Sequence, residues 1–114
     1  MIIQLKRVYE DPAKSDGTRI LVDRLWPRGL TKEKAHVDLW LKEVAPSNDL
    51  RKWFSHDPAK WPEFKARYKA ELKLNRTQLT LLKQAVAKGP ATLLYGAKDT
   101  EHNEALVLQD LLNH

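Results

Sequence analysis

The sequence contains no cysteine and only four glycines in 114 residues. The missing thiols exclude disulfides, thiolate nucleophiles and cysteine-ligated zinc or iron–sulfur sites. The isolated glycines form neither a P-loop nor a dinucleotide-binding fingerprint, so we do not expect nucleotide binding through those motifs. The four histidines show no metal-ligand spacing. The sequence therefore predicts no metal site and no cofactor.

Long apolar runs are also missing. No stretch approaches the roughly 18 to 20 residues needed to cross a bilayer, so we expect no membrane partner. Residues 1–9 lack the apolar core and cleavage site of a secretory signal, which favours a cytoplasmic location. We find no repeat, low-complexity tract or flexible linker. These patterns predict one domain over residues 1–114.

Four segments have strand character. Residues 18–25 and 91–96 have short, branched apolar centres, typical of strands buried on both faces. Residues 2–8 alternate in polarity, and Val37, Leu39 and Leu41 indicate a short strand more weakly. Helical segments separate these strands, and such an order requires crossovers and parallel pairing. We predict an α/β fold with a small, mostly parallel sheet of three to four strands and helices on both faces.

Capping residues and apolar spacing mark the helices. Thr31 and Ser47 are suitable N-caps, the second for a helix over Asn48–Phe54. A longer helix is predicted around 60–76, another at about 77–88, and a last one after Asp99 or Thr100, either of which suits an N-cap. The apolar positions at helical spacing in the helix around 60–76 are Trp61, Phe64, Tyr68 and Leu72.

Ligands of open parallel sheets usually bind beyond the carboxyl ends of the strands. Two polar segments, residues 23–29 and 95–103, follow the two buried strands and meet at one edge if those strands are parallel neighbours. Arginine binds carboxylates or phosphates with a bidentate fork, and histidine transfers protons near neutral pH. The predicted catalytic residues are His102 and Asp23, and the predicted ligand-binding residues are Arg24, Trp26, Arg28, Tyr95, Lys98 and Asn103. Arg7, Arg19 and Lys42 are second-rank candidates for the polar lining of the same pocket.

Structural roles compete with each of these assignments. Asp23 and Arg24 suit a salt bridge at a strand end, Asp99 suits a cap, and His102 suits a position in the first helical turn. His56 and Asp57, beside Arg51, fit a turn at least as well as a place in the pocket.

Two segments share an order of residues with a known family: residues 19–29, which read Arg-Ile-Leu-Val-Asp-Arg-Leu-Trp-Pro-Arg-Gly, and Leu93-Leu-Tyr95 followed by Ala97-Lys-Asp99 and His102-Asn103. Shorter matches include Ala45-Pro-Ser47 and Leu50 to Phe54. The sequence resembles the YeaO-like bacterial proteins, a branch of domain-of-unknown-function family four-eight-eight.

The resemblance implies a small bacterial cytosolic α/β domain and brings no established reaction. Longer relatives in the wider family tend to have cysteine near the segment that corresponds to residues 95–103. This chain has no cysteine there. Thiol or metal chemistry therefore does not transfer to it.

The leading hypothesis is a pocket for a small anionic or phosphorylated molecule, with hydrolase or transferase chemistry as an option. A nucleic acid is the alternative partner, because residues 51–76 hold eight basic and three acidic residues. The basic row comprises Lys65, Lys69 and Lys73, with Arg67 and Arg76 nearby. Its aromatic neighbours have core spacing, which favours a solvated face. A third hypothesis is an interaction module that uses Trp40 or Trp53.

Overall fold

Four strands form one parallel sheet in the computed structural model, which describes residues 3–113. The strands are β1 (Ile3–Arg7), β2 (Thr18–Leu21), β3 (Leu39–Trp40) and β4 (Ala91–Tyr95). Their order is β1-β4-β2-β3, so β4 lies between β1 and β2 and pairs in parallel with both. The predicted parallel pairing of the two buried strands is confirmed. Residue 2 of the first predicted strand lies outside the described residues.

In the described part of the chain, five α-helices connect or follow these strands: α1 (Lys32–Ala35), α2 (Asn48–Phe54), α3 (Trp61–Leu74), α4 (Arg76–Ala87) and α5 (Glu104–Leu112). Short 3₁₀ turns occupy Lys14–Asp16, Lys42–Val44 and Pro58–Lys60. No helix within residues 3–113 combines the length and the apolar character that a bilayer crossing requires.

The N-caps of α1 and α2 are those predicted. The Thr31 side chain accepts a hydrogen bond from the Lys34 amide, and Ser47 Oγ accepts one from the Leu50 amide. The prediction for α5 was wrong, since Asn103 caps it instead of Asp99 or Thr100. Asp99 closes a turn before the helix, which moves the helix start beyond His102.

The two faces of the sheet bury separate apolar clusters. The larger cluster contains side chains of β2 and β4, such as Ile20 and Leu93, packed against α2, α3, α4 and α5. On the opposite face, Leu21 and Leu94 pack beneath α1 and the loop before it. Alternate residues of each strand therefore point into different layers, as strand geometry requires. The predicted α/β class with helices on both faces is confirmed.

Candidate functional site

A cavity of about 520 Å³ opens at the carboxyl edge of the sheet. This volume is within the range of small-molecule pockets. Its lining comes from the ends of β1, β2 and β4, from α2 with the turn after it, from α3 and from the start of α5. The lining residues are Tyr9, Asp23, Arg24, Leu25, Trp26, Pro27, Arg28, Ala45, Pro46, Arg51, Phe54, His56, Phe64, Gly96, Ala97, His102, Asn103 and Glu104.

Asp23 connects the ends of the two central strands. Val22 extends the pairing past β2 by donating its amide to the Leu94 carbonyl at 3.1 Å. One residue later, Asp23 Oδ2 accepts a hydrogen bond from the Gly96 amide at 2.7 Å. The Asp23 carbonyl accepts another from Trp40 Nε1, also at 2.7 Å. The carboxyl group is therefore held between the ends of β2 and β4, where Asp23 lines the cavity.

Glu104 is the first residue of α5, and like Asp23 it lines the cavity. Burial raises the pKa of the Glu104 carboxyl well above its ordinary value, and the neighbouring Asp23 carboxylate raises it further. The raised pKa extends the pH range over which the Glu104 carboxyl stays protonated.

His102 is oriented by Asp99. His102 Nδ1 lies 2.9 Å from Asp99 Oδ2. Asp99 Oδ1 accepts hydrogen bonds from the amides of Glu101 and His102. The hydrogen bonds from the Glu101 amide and from His102 lower the pKa of the Asp99 carboxyl. The Trp61 ring meets the imidazole edge-on, with 5.4 Å between ring centroids. Because Nδ1 is engaged, Nε2 is the imidazole nitrogen left for a ligand.

Arg24 is fixed by the loop that precedes α2. Its Nε donates to the Pro46 carbonyl at 3.2 Å and its Nη2 donates to the Ala45 carbonyl at 3.1 Å. Nη1 lies 3.7 Å from Glu43 Oε2. The alternative of a salt bridge between Asp23 and Arg24 is wrong, because Glu43 is the carboxylate that pairs with Arg24. The arginine lines the cavity with most of its donors already used.

Three cationic or protonatable side chains surround the mouth of the cavity: Arg28, Arg51 and His56. All three are exposed. The Arg28 guanidinium makes no hydrogen bond or ion pair within residues 3–113, and Arg51 contacts only the uncharged Asn48 side chain, at 3.3 Å. The mouth is therefore positively charged without a carboxylate that neutralises it.

The position of His56 depends on an unusual turn after α2. Ser55 and His56 have φ of 47° and 56°, in the left-handed region that non-glycine residues rarely occupy. Two successive residues of this kind reverse the chain sharply. The turn places His56 at the cavity, whereas Asp57 accepts the Ala59 amide and caps the next 3₁₀ turn. His56 thus lies at the cavity and Asp57 has the capping role, so the two alternatives predicted for this segment apply to adjacent residues.

Aromatic rings form the walls. Phe54 and Phe64 stack with centroids 4.3 Å apart, and both are buried. On the other side, Trp26 is held by a 2.7 Å hydrogen bond from Nε1 to the Leu30 carbonyl. The Tyr9 hydroxyl donates to the Arg28 carbonyl at 3.0 Å. The walls are therefore largely aromatic, and hydrogen bonds hold the Trp26 and Tyr9 rings in place.

Several predicted site residues lie elsewhere or are already engaged. Tyr95 is buried in the larger apolar cluster, and Lys98 is exposed on the loop after β4; neither lines the cavity. Asn103 lines it, but its side chain accepts the Leu106 amide and donates to the Asp99 carbonyl. The predicted set that the structure brings together at the cavity is Asp23, Arg24, Trp26, Arg28, His102 and Asn103.

The second-rank positions have structural contacts. Arg7 donates to the carbonyls of Ala97 and Gly96 and so holds the turn after β4. Lys42 lies over the Trp40 ring, 5.4 Å from its centroid. Arg19 is buried, paired with Asp16, and donates to the Ala35 and His36 carbonyls. None of these three residues lines the cavity.

Sequence analysis missed Glu104, Tyr9 and the two phenylalanines as cavity residues. The helix dipole favours a glutamate in the first turn of a helix. Because this role is sufficient to explain Glu104, nothing in the sequence pattern indicated that its side chain lines the cavity. The available signal was the Val-Asp sequence at the end of β2, which places a carboxylate at the edge where α5 begins. Phe64 has core spacing on α3, and nothing in that spacing separates a core residue from a cavity wall.

Fold and site together define a parallel α/β protein with a ligand-sized pocket at the carboxyl edge of its sheet. A family model described as "DUF488-N3i: Inactive DUF488-N3 subclade" matches residues 2–114. The chain belongs to this family, which confirms the predicted resemblance.

Individual relatives cover almost the whole chain. It is 48% identical over 112 residues to Uncharacterized protein YeaO of Escherichia coli (strain K12), a match that covers 98% of this chain and 97% of that protein. It is 39% identical over 111 residues to Uncharacterized protein Rv3073c of Mycobacterium tuberculosis (strain ATCC 25618 / H37Rv), which covers 97% and 93%. No solved structure matches the chain.

Proposed function

We propose that the protein binds a small molecule with a phosphate or carboxylate group in this cavity. The observation that supports the proposal is the positively charged mouth, where Arg28 and Arg51 have no carboxylate partner among the residues that the structure describes, and His56 also lines the cavity. Guanidinium groups bind such anions with paired, charge-assisted hydrogen bonds. The anionic group of the ligand lies at the mouth, and the remainder fills the aromatic interior.

We propose binding without turnover in preference to hydrolase or transferase chemistry. The family model is that of a subclade described as inactive. Both predicted catalytic residues have structural contacts: Asp23 Oδ2 accepts a hydrogen bond from the Gly96 amide, and His102 Nδ1 is held by Asp99 Oδ2. These contacts support a structural and ligand-positioning role for the carboxylates.

The test is calorimetric titration with inorganic phosphate, sugar phosphates and dicarboxylates, using wild type and Arg51→Gln. Removing one charge-assisted contact should weaken binding about tenfold. Lys52→Gln is the matched control, because Lys52 is the adjacent exposed cation and does not line the cavity. Equal weakening by both variants, or no binding of any anion to wild type, would overturn the proposal.

The nucleic-acid hypothesis stays a prediction, and the contacts of the basic row favour a solvated face. Lys69 lies 3.8 Å from Asp110 Oδ2, and Arg67 pairs with Glu63. Lys65 lies over the Trp61 ring, 5.6 Å from its centroid. A phosphate-binding row would give strongly salt-dependent binding of DNA or RNA at low ionic strength, which a filter-binding assay measures.

The interaction-module hypothesis also stays a prediction. Trp53 is covered on its faces by cations, with Arg67 at 4.4 Å and Lys60 at 5.1 Å from the ring centroid. Trp40 is about a third exposed and meets Trp26 edge-on. Of the two rings, Trp40 is therefore the better contact for a partner.

A further inference from the structure

The turn after α2 has more left-handed backbone than the end of a helix requires. Three non-glycine residues of the described chain have positive φ: His36 at 48°, Ser55 at 47° and His56 at 56°. His36 follows α1 and Ser55 follows α2, and each donates its amide to a carbonyl of the helix it ends, Lys32 and Arg51 respectively. One left-handed residue is a common way to end a helix. His56 caps no helix, so its conformation needs another explanation.

Contacts within the turn explain the backbone of His56 but not its side chain. Among residues 3–113 the imidazole makes no hydrogen bond, and its ring contact is with Phe54, 6.4 Å between centroids. The turn brings the Asp57 amide to the Phe54 carbonyl at 3.0 Å. A glycine would adopt the same φ without the steric cost of a Cβ. The turn therefore requires a left-handed residue at this position, and nothing within it requires a histidine.

The cavity gives the imidazole a role. Of the three left-handed residues, His56 is the one that lines the cavity. Its ring lies beside Phe54, which stacks on Phe64 in the aromatic wall, and Arg28 and Arg51 line the same mouth. An imidazole N–H donates to phosphate and carboxylate oxygens. Residues held in strained backbone conformations are concentrated at ligand-binding sites, where the strain fixes the position of a side chain.

We propose that His56 is a ligand-binding residue whose imidazole donates a hydrogen bond to the anionic group of the ligand, and that the left-handed turn serves to hold it at the cavity. This inference rests on the proposed function, because it needs an anion at the cationic mouth. It adds a contact that costs the protein stability when no ligand is bound. Stability and affinity should therefore change in opposite directions at position 56.

His56→Gly tests this opposition. The variant should have a Tm a few degrees higher than wild type, because glycine relieves the left-handed strain; its greater freedom in the unfolded chain reduces this gain without reversing it. Its affinity for inorganic phosphate should fall about tenfold, since one hydrogen bond to a charged group is lost. Thermal denaturation in phosphate-free buffer measures the first effect, and isothermal titration calorimetry with inorganic phosphate measures the second.

Two control variants separate the strain from the contact. Ser55→Gly relieves the same strain at the adjacent residue, which does not line the cavity. It should raise Tm and leave the affinity for phosphate unchanged. His56→Ala keeps a Cβ in the left-handed conformation and removes the imidazole, so it should lose the same affinity without any rise in Tm.

Proton NMR detects the contact directly. The imidazole signal of His56, assigned by its absence from His56→Gly, should shift to saturation as phosphate is added to wild type. The signal of His36, which does not line the cavity, should stay in place.

The outcomes separate this inference from the proposed function. If His56→Gly binds phosphate as tightly as wild type while Arg51→Gln binds it more weakly, the inference is wrong and the anion site stands. A Tm of His56→Gly at or below that of wild type would also overturn it, because relief of strain is part of the inference. If wild type binds no anion, the proposed function itself is wrong. A higher Tm together with weaker phosphate binding supports the inference.

Discussion

A buried ion pair on the sheet face beneath α1 shows how single side chains stabilise this fold. Asp16 and Arg19 are both almost fully buried, and Lys6 reaches Asp16 at 3.3 Å. Burial alone raises the pKa of the Asp16 carboxyl, but the Ala13 amide, Arg19 and Lys6 outweigh it and lower that pKa below its ordinary value. The charged form of Asp16 therefore belongs to the native structure.

Asp16→Asn should lower the free energy of unfolding by about 3 kcal/mol, because it leaves the buried Arg19 guanidinium without its counter-charge. Urea denaturation at neutral pH measures the loss. Asp11→Asn is the control, since Asp11 is exposed and only its carbonyl contacts Lys6. Equal stability of the Asp16→Asn variant and wild type would contradict the structural role assigned to the pair.

Glu104 should make the protein less stable as pH rises. Its pKa in the folded state lies above the ordinary value of 4.5, so at pH values between 4.5 and the folded-state pKa the folded state binds more protons than the unfolded chain. The free energy of unfolding then falls as pH rises through this window, by at most about 1.4 kcal/mol per pH unit. Glu104→Gln removes the titration and should flatten the decline.

Denaturation of wild type and Glu104→Gln at a series of pH values above about 5 checks this dependence. Glu101→Gln is the control, since it makes the same change of charge at an exposed position three residues earlier. A wild-type profile no steeper than that of Glu104→Gln would contradict the raised pKa of Glu104.

At the scale of elements, Ser47 connects two helices. Its Oγ caps α2 through the Leu50 amide and donates to Glu71 Oε2 on α3 at 2.6 Å, while its own amide donates to Glu71 Oε1 at 2.8 Å. One serine thus begins α2 and fixes it against α3. Both helices provide aromatic walls of the cavity.

Ser47→Ala should cost about 1 to 2 kcal/mol of stability, because it removes the cap and one bond to Glu71. Thermal or urea denaturation measures this cost. Ser15→Ala, at an exposed serine outside these contacts, should be nearly neutral. A double-mutant cycle with Glu71→Gln isolates the contact between the helices, and strictly additive effects would contradict the coupling.

Two glycines at turns provide a matched comparison. Gly17, with φ of 65°, precedes β2, and a Cβ there would overlap the Pro90 carbonyl, which accepts the Thr18 amide. Gly29, with φ of 81°, has open space around the same position. Gly29→Ala should cost about 1 to 2 kcal/mol for the left-handed backbone alone. Gly17→Ala adds a backbone clash and should cost clearly more, as denaturation of the two variants will show.

Most helix and strand positions could be predicted from local sequence pattern, whereas the start of α5 could not. A few neighbouring residues are enough to identify the N-caps Ser47 and Thr31 and the strands rich in β-branched residues. The α5 start depends on Asp99, which binds the amides of Glu101 and His102 and so uses the donors that a helix beginning there would present. Sequence pattern offered Asp99 and Thr100 as caps but did not reveal this competing turn.

At the scale of the molecule, the site was partly predictable because the rule for parallel sheets is topological. The buried character of β2 and β4 predicts that their following loops meet, and Arg28 and His102 do line one cavity. Lys98 was misplaced because the path of a loop depends on contacts such as that of Gly96 with Asp23. Residues of α2 and α3 also line the cavity. Their place there depends on how segments distant in the sequence pack together, which a local sequence pattern does not reveal.

The strand order predicts how the sheet opens. β4 is buried along its whole length and pairs on both sides, whereas β3 is two exposed residues at an edge. Amide exchange of Leu93 and Leu94 should require global unfolding, while exchange at Leu39 and Trp40 should proceed through local opening. Hydrogen-exchange mass spectrometry or NMR checks this, and slower exchange in β3 than in β4 would contradict the topology.

The lining of the cavity is gathered from positions 9 to 104 of the chain. No short segment of the polypeptide contains the whole pocket, so the small molecule that we propose would contact strand ends, helices and loops that separate on unfolding. Its binding would therefore stabilise the entire native state. On this proposal, a higher concentration of the ligand inside a cell would slow degradation of the protein, because proteolysis follows the population of the opened state.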